Sequence, residues 1–415
     1  MQILIILKKY VKKFIPFFYI LLFFSPISAF SEPLEFKSWI NIQSNKSFSS
    51  NINKNGFLDD SIGIQTSKNF HNFKTNLALS MTQSDKKYLL YDQSFLEYEH
   101  RNSTYGFGKI NRNWSFSEHT SLILSNNARP SNSVYFLKKA STSDGLLSSL
   151  VGPWSFEAFN SVLSSSRRVK KPMLLGMRLI IEPYHNLKFE LLKTSQWGGS
   201  GYSNSFSAFS SAILGNTNES NNSNINQMAG FGMSFENNII QMPNRTYAQV
   251  IGEDEAGSFP SCLIGLFGSN FTLKNDLFSK IGFEYVDTRI DTTEHGYCGP
   301  QTAYNNTDYP YTNYGKSMGA SIDSEGKQYS VWATTKLSEN TSMNYSIKNI
   351  TINDFNSSNH RLSNTKENGW VTSLGASWKL NSLNINGTLT YQNLHLIKAQ
   401  YNEGLSLNIN ADYNF

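Results

Sequence analysis

Charge is scarce in this 415-residue sequence. Asp, Glu, Lys and Arg make up 16% of it, where about 25% is usual for a soluble domain. Cysteine is almost absent, with two residues. Beyond the N-terminus there is no run of roughly 20 apolar residues, and a helical membrane protein needs several. No internal repeat, no hinge-like linker and no amphipathic helix of convincing length is present. The formal net charge of +5 is concentrated at the start, in Lys8, Lys9, Lys12 and Lys13; the remainder holds 32 basic against 31 acidic residues. That near-neutral balance offers no electrostatic case for nucleic acid. Aromatic residues, by contrast, reach 14%, with 21 Tyr and 29 Phe, and Asn, Ser and Thr are abundant. Disordered chains are poor in aromatics. Few charges, many aromatics and many uncharged polar residues suit an outer-membrane β-barrel, apolar outside and polar inside.

The N-terminus reads as a secretory signal over residues 1–31. A basic stretch, Lys8 to Lys13, precedes the apolar run Phe14 to Ile27, and Ala29 and Ser31 supply the small residues before a cut. A retained membrane anchor is the alternative, but Pro16 and Pro26 interrupt the run. Residues 32–415 then form one barrel domain. In an exported chain Cys262 and Cys298 either form a disulfide or stay as two separate thiols. No His/Cys metal spacing occurs, and no cofactor or metal is expected.

The C-terminus is the most informative stretch. Leu405, Leu407, Ile409, Ala411, Tyr413 and Phe415 alternate with Ser406, Asn408, Asn410, Asp412 and Asn414, about the length of one transmembrane β-strand, and the chain ends on Phe. The same period of two recurs at Tyr329–Leu337, Thr372–Leu380 and Leu383–Tyr391, with Asn381-Ser382 as a tight turn. Leu175 to Ile181 and Leu187 to Leu191 read as a hairpin around Tyr184, which sets Arg178 opposite Glu190 as either a lumenal ion pair or two solvated side chains. The Asn/Ser-rich stretches Ser44–Asn55, Gly215–Asn226 and Asn353–Asn364 read as extracellular loops. At about 21–24 residues per strand with its connection, 16 to 18 strands are expected.

Gly108-Lys109-Ile110 with Trp114, Ser121 to Pro130, Gly176 to Leu179, Gln196 to Gly201, Asn226 to Phe231, Tyr247 to Gly257, Glu284 to Thr288, and Tyr314 to Gly319 follow one another over roughly residues 100–330. As an ordered set, these segments resemble the Wzi-type capsule assembly proteins. The Gly252-Glu253-Asp254-Glu255-Ala256-Gly257 run is the sharpest of them in so weakly charged a chain. The resemblance implies an all-β fold, a transmembrane antiparallel barrel of about 18 strands. It implies binding of capsular or exopolysaccharide at the cell surface and help in anchoring or assembling it, without catalysis. Outer-membrane lipid or lipopolysaccharide and the barrel assembly machinery are the other expected partners. The family's helical bundle at the mature N-terminus has no counterpart in the sequence, which passes from Glu32-Pro33 almost directly into a strand pattern, so no substantial bundle is expected.

The residues themselves offer candidates. Glu253, Asp254 and Glu255 either contact sugar hydroxyls, hold Ca²⁺, or join a structural network with arginines such as Arg178 and Arg129. Alternation places Tyr247, Gln249 and Glu253 in the lumen. Gln196-Trp197 before Gly198-Gly199 is either a sugar platform or part of an interfacial aromatic girdle. Tyr304, Tyr309, Tyr311 and Tyr314 form either a glycan-facing loop or a girdle. The glycan-binding candidates are thus Gln196, Trp197, Tyr247, Gln249, Glu253, Asp254 and Glu255. A porin or sugar-diffusion channel is the runner-up function, with a barrel hydrolase behind it. No Gly-x-Ser-x-Gly elbow supports the hydrolase.

Overall fold

The computed structural model describes residues 34–48, 60–82, 89–141, 145–215, 225–239, 241–256, 259–273, 278–291 and 298–415. The segment expected to be a signal, residues 1–31, lies outside them, as do His295 and most of the loops expected over Ser44–Asn55 and Gly215–Asn226. The elements are β1 (Glu35–Gln43), β2 (Ser61–Phe70), β3 (Phe73–Thr82), β4 (Phe95–His100), β5 (Ser103–Gly108), β6 (Asn132–Ala140), helix α1 (Leu146–Val151), β7 (Trp154–Val162), β8 (Met173–Tyr184) and β9 (Leu187–Trp197). Helix α2 (Phe206–Leu214), β10 (Asn226–Ile239), β11 (Met242–Ala256), β12 (Phe259–Thr272), β13 (Lys280–Asp287), β14 (Thr312–Asn313), β15 (Lys316–Ser317), β16 (Lys327–Lys336), β17 (Thr341–Ile352), β18 (Glu367–Leu380), β19 (Leu383–Gln392) and β20 (Gly404–Asn414) follow.

Eighteen of these strands form one antiparallel sheet, which β1 closes by pairing with both β2 and β20. Closure removes the sheet edges, which hydrocarbon does not tolerate. Short turns such as Asn381-Ser382 lie mostly at one end, the periplasmic end by barrel convention, where helix α1 between β6 and β7 is the exception, and the longest connections lie at the other. The last strand shows why the sequence folds this way. Leu405, Ile409 and Tyr413 are 58%, 38% and 44% exposed on the outer wall, whereas Ser406, Asn410 and Asp412 are buried inside. Trp370, Tyr329 and Tyr391 are exposed towards the extracellular ends of their strands, and Phe70, Phe73, Tyr98, Tyr184 and Trp378 towards the periplasmic ends, as aromatic girdles require.

The expected hairpin is β8–β9, with a different register. Arg178 pairs with Leu192 and Ile180 with Glu190, because the turn falls at His185-Asn186 rather than on Tyr184; the ladder also shifts by one residue between Ile181 and Tyr184. Pro183, which has no N–H to give the ladder, sits in that irregular stretch. The ion pair forms nonetheless, at 2.9 and 2.6 Å from Arg178 Nε and Nη2 to Glu190 Oε2. Both residues face the lumen, and a guanidinium reaches a diagonal neighbour.

Cys262 and Cys298 are disulfide-bonded, tying β12 to the long 288–326 connection. The bond closes a 36-residue separation. On the chain-entropy account that contributes up to about 4 kcal/mol. The Cys262→Ser, Cys298→Ser double variant should unfold at lower urea concentration than the oxidised protein; an unchanged midpoint would show that the bond constrains little.

Candidate functional site

Inside the wall there is a packed core. Two connections, residues 109–131 and the described residues of 288–326 (288–291 and 298–326), turn inward from the extracellular end and meet along the barrel axis. The first carries Arg112 and Trp114 onto Glu157 of β7. Arg112 Nε donates to one carboxylate oxygen at 2.8 Å and Trp114 Nε1 to the other at 3.0 Å. Gly176 on β8 makes room there, since a Cβ at that position would collide with the Phe159 ring. The connection reaches down to Glu118, whose carboxylate accepts from Arg245 at 3.1 Å and Lys280 at 2.7 Å beside the periplasmic turns. It returns through Leu122 and Ile123, both fully buried. There the second connection meets it: Tyr304 Oη donates to the Leu122 carbonyl at 2.6 Å, Tyr311 Oη to that of Ile123 at 2.8 Å, and Ser125 N to Met318 O at 2.8 Å.

Gln249, on the lumenal face of β11, fastens this plug to the wall. Its Oε1 accepts from Leu122 N at 2.8 Å, and its Nε2 donates to Trp114 O at 2.7 Å and to Glu190 Oε1 at 3.0 Å. Glu190 thereby joins Arg178, Gln249 and the plug in one network. Two strands along, Glu284 Oε2 accepts from Tyr247 Oη at 3.1 Å and from Ser117 Oγ of the plug.

Tyr247, Gln249 and Glu253 do face the lumen. All three are buried, as are Gln196 and Trp197. Gln196 lies among Arg167, Tyr309, Pro310 and Asn226. Trp197 is not in the lumen: it sits on the outer wall, bonded through Nε1 to Asn160 Oδ1 at 3.2 Å and covered by Phe209 of α2. A polysaccharide would have to displace the plug to touch Tyr247 or Gln249, and α2 to touch Trp197. The arginines expected beside Glu253 are engaged elsewhere, Arg178 with Glu190 and Arg129 with Asp92. Asp254 and Glu255 occupy the extracellular end of β11. The tyrosines need a correction. Tyr304, Tyr309 and Tyr311 form neither a surface loop nor a girdle; they are buried in the plug, with hydroxyls on carbonyls, Tyr309 on that of Gly198 at 2.9 Å. Only Tyr314 stays partly exposed.

Tyr314 belongs to a cluster that sequence reasoning did not assemble. At the extracellular end of β4–β6, Asp92 accepts from Lys109 and, at 2.8 and 3.2 Å, from Arg129. The Lys109 ammonium lies 5.0 Å from the Tyr91 ring centroid and 5.1 Å from that of Tyr314, and the Arg129 guanidinium 4.5 Å from Tyr314. Burial pulls the Lys109 pKa below its ordinary value, with Asp92 opposing that effect. Tyr91 is 45% exposed. Next to the cluster is a recess of about 40 Å³, edged by Asn111, Arg112, Ser125, Arg129, Ser131 and Asn313 over a floor of Phe159, Leu124 and Met318. It has room for roughly three waters, hence for one carboxylate or hydroxymethyl group. A larger cavity of about 410 Å³ opens at the opposite, periplasmic end between Glu118, His185, Arg245 and Lys280. Lys109 and Arg129 both fall in the segments that resemble the capsule assembly proteins; charged side chains kept in a weakly charged chain were the available signal.

Comparison with known proteins gives a consistent answer. The model of the family "Capsule assembly protein Wzi" matches residues 41–404. A protein of Klebsiella pneumoniae described as an uncharacterized 55.8 kDa protein in the cps region is 33% identical over 120 residues. That match takes in 28% of this chain and 24% of the relative, so the chain aligns with about a quarter of the relative's length. Among solved structures, the outer-membrane protein Wzi of Escherichia coli, described as a carbohydrate-binding β-barrel involved in group 1 capsule assembly, superposes with a TM-score of 0.76 at 20% identity, covering 92% of this chain and 84% of that one. Pseudomonas aeruginosa OprD superposes with a TM-score of 0.54 at 9% identity, covering 92% and 94%.

Proposed function

Because the chain belongs to the Wzi capsule assembly family, we propose that it binds capsular or another extracellular polysaccharide at its extracellular face and helps hold that polymer at the cell. The filled lumen supports this best. Where a diffusion channel needs a path, Trp114, Leu122, Ile123, Tyr304 and Tyr311 are packed together, which disfavours the porin alternative. Binding then falls on the outer surface. The recess beside Arg112 and Arg129 offers amide and hydroxyl groups, two guanidiniums and the flanking rings of Tyr91 and Tyr314. That set suits a neutral sugar surface: the amides and hydroxyls can bond sugar hydroxyls, a tyrosine ring gives an apolar sugar face a rigid platform, and the two guanidiniums are already held by Glu157 and Asp92. Asp254 and Glu255 would meet glycan from the rim, with Glu253 buried behind them on the lumenal face. Gln196, Trp197, Tyr247 and Gln249 would act behind it, holding plug and loops in place. No catalytic step is assigned. The barrel assembly machinery would recognise the last strand with Phe415.

The test is saturable binding of the host's own surface polysaccharide to the purified protein, with conductance recorded on the same preparation in a planar bilayer. Binding without steady conductance is expected; steady conductance without binding would make this a channel. Tyr91→Ala with Tyr314→Ala should weaken binding on the order of tenfold, equivalent to about 1.4 kcal/mol, with the barrel still folded. Undiminished binding would move the site away from the recess.

A further inference from the structure

Helix α2 lies outside the barrel. Along β9 the lumenal positions are Glu190, Leu192, Thr194 and Gln196, so Leu191, Lys193, Ser195 and Trp197 belong to the outer wall. The helix is laid over the upper part of that wall. Ser195 Oγ donates to the Ala212 carbonyl at 2.9 Å and Lys193 Nζ to the Ile213 carbonyl at 3.0 Å. Ala208 and Ala212, one turn apart, are buried against Trp197 and Leu175, with Met173, Met177 and Phe209 packed around them. Small side chains there allow the close approach. At a strand rise of about 3.3 Å and a tilt of about 40°, the ten steps from Leu187 to Trp197 climb roughly 25 Å, the height of an outer-membrane apolar band. Lys193 and Ser195 therefore lie within the outer leaflet, and α2 screens them from it.

The other face of α2 is apolar and uncovered. Phe206, Ile213 and Leu214 are 81%, 36% and 71% exposed, and with Ser210 they share one helical stripe. Ser210 donates its hydroxyl to the Phe206 carbonyl at 2.9 Å, so it presents no unpaired donor. This stripe continues the outer wall upward from Leu191 and Phe231, which are 57% and 55% exposed. Immediately above stands the strongest basic run beyond the N-terminal lysines, Arg167-Arg168-Val169-Lys170-Lys171. Arg167 turns inward to the carbonyls of Pro310 and Thr312. Arg168, Lys170 and Lys171 point to solvent, with Asp308 3.3 Å from Arg168 the nearest acid. Run and helix are held together: Ser200 N donates to the Lys170 carbonyl at 3.0 Å, and Met173 joins the α2 cluster.

We propose that α2 and the Arg168–Lys171 run form a docking site for the phosphorylated glycolipid of the outer leaflet, lipopolysaccharide. The stripe of Phe206, Ile213 and Leu214 packs against its acyl chains, and the three exposed cations meet its phosphates. Anionic headgroups above an apolar layer match cations above an apolar helix face, and the uncovered stripe is continuous with the lipid-facing wall. Only the outer-membrane placement is presupposed; glycan binding at the recess is independent.

The test uses the full detergent-folded protein and hexa-acylated lipid A in mixed micelles, with the dephosphorylated lipid as control. Arg168→Gln, Lys170→Gln and Lys171→Gln together should weaken binding of the phosphorylated lipid on the order of a hundredfold, at about fivefold per cation near a charged surface. The dephosphorylated lipid should bind the parent weakly and the triple variant no worse. Phe206→Ser with Leu214→Ser should lower affinity for both lipids. Heat-modifiable gel migration and binding of the host polysaccharide, read on each variant, should stay at the parent level. Equal lipid A binding by parent and triple variant would overturn the proposal. So would loss of polysaccharide binding with lipid A binding intact, since the run would then serve the polymer. A shift from dimer to monomer in the α2 variant with lipid retained would assign the stripe to a second copy of the chain instead.

Discussion

Replacing Glu190 with alanine should destabilise the folded protein by about 3–5 kcal/mol, the usual cost of stranding a buried ionic partner. Glu190 is fully buried; one oxygen takes both bonds from Arg178 and the other takes Gln249 Nε2. Without the carboxylate, Arg178 is left in the lumen uncompensated, with its side chain 14% exposed. Gln249 also loses an anchor while still holding Leu122 N and Trp114 O of the plug. The loss should therefore appear twice, as a lower urea midpoint in micelles and as intermittent conductance in a planar bilayer. Glu190→Gln, which keeps an acceptor but removes the charge, should fall between. A parent-like midpoint for Glu190→Ala would mean that the network is ornamental to stability, and a parent-like bilayer trace would mean that the plug is held by its packing alone.

The second large effect concerns the lipid face. Ile409 is central in β20, opposite Gly387 on one side and Ile42 on the other, and is exposed on the outer wall. Ile409→Lys should cost about 2–4 kcal/mol in lipid vesicles, as a cation does at mid-membrane depth on a barrel exterior. Asn408→Lys, one residue away on the lumenal face, should cost much less. Equal costs for the two would reverse the assignment of inside and outside on this strand.

The wall of the molecule was legible because a strand with lipid on one side and polar groups on the other has no freedom in its alternation. Leu405 to Phe415 follow it without a break, and strand number, closure and the lumenal facing of Tyr247 and Gln249 come with it. The β8–β9 register was read two residues off because the turn falls at His185-Asn186 rather than on Tyr184, and face alternation is blind to a shift by two. The filling was not legible. Trp114, Leu122, Ile123, Tyr304 and Tyr311 lie in irregular chain, where no period marks a buried side. A tyrosine whose hydroxyl finds a carbonyl in a core has the same composition as one facing water, which is why that cluster read as surface. Helix α2 escaped notice for a related reason: Phe206-Ser207-Ala208-Phe209-Ser210-Ser211-Ala212 sits among serines, and its amphipathic character appears only once Ala208 and Ala212 are known to touch Trp197.

The inward course of residues 109–131 constrains the order of assembly. This connection belongs to the N-terminal half of the wall, whereas its partner, 288–326, belongs to the C-terminal half. The two interlock through Tyr304, Tyr311 and Met318 deep inside the cylinder. The seam that closes the cylinder joins β20 to β1. Zipped shut first, the cylinder would have to admit twenty-odd residues end-on, past one another, down to Glu118 at its far mouth. Wrapping the wall around a stuffing already gathered avoids that threading, so inner contacts should become protease-resistant before the first and last strands are locked together.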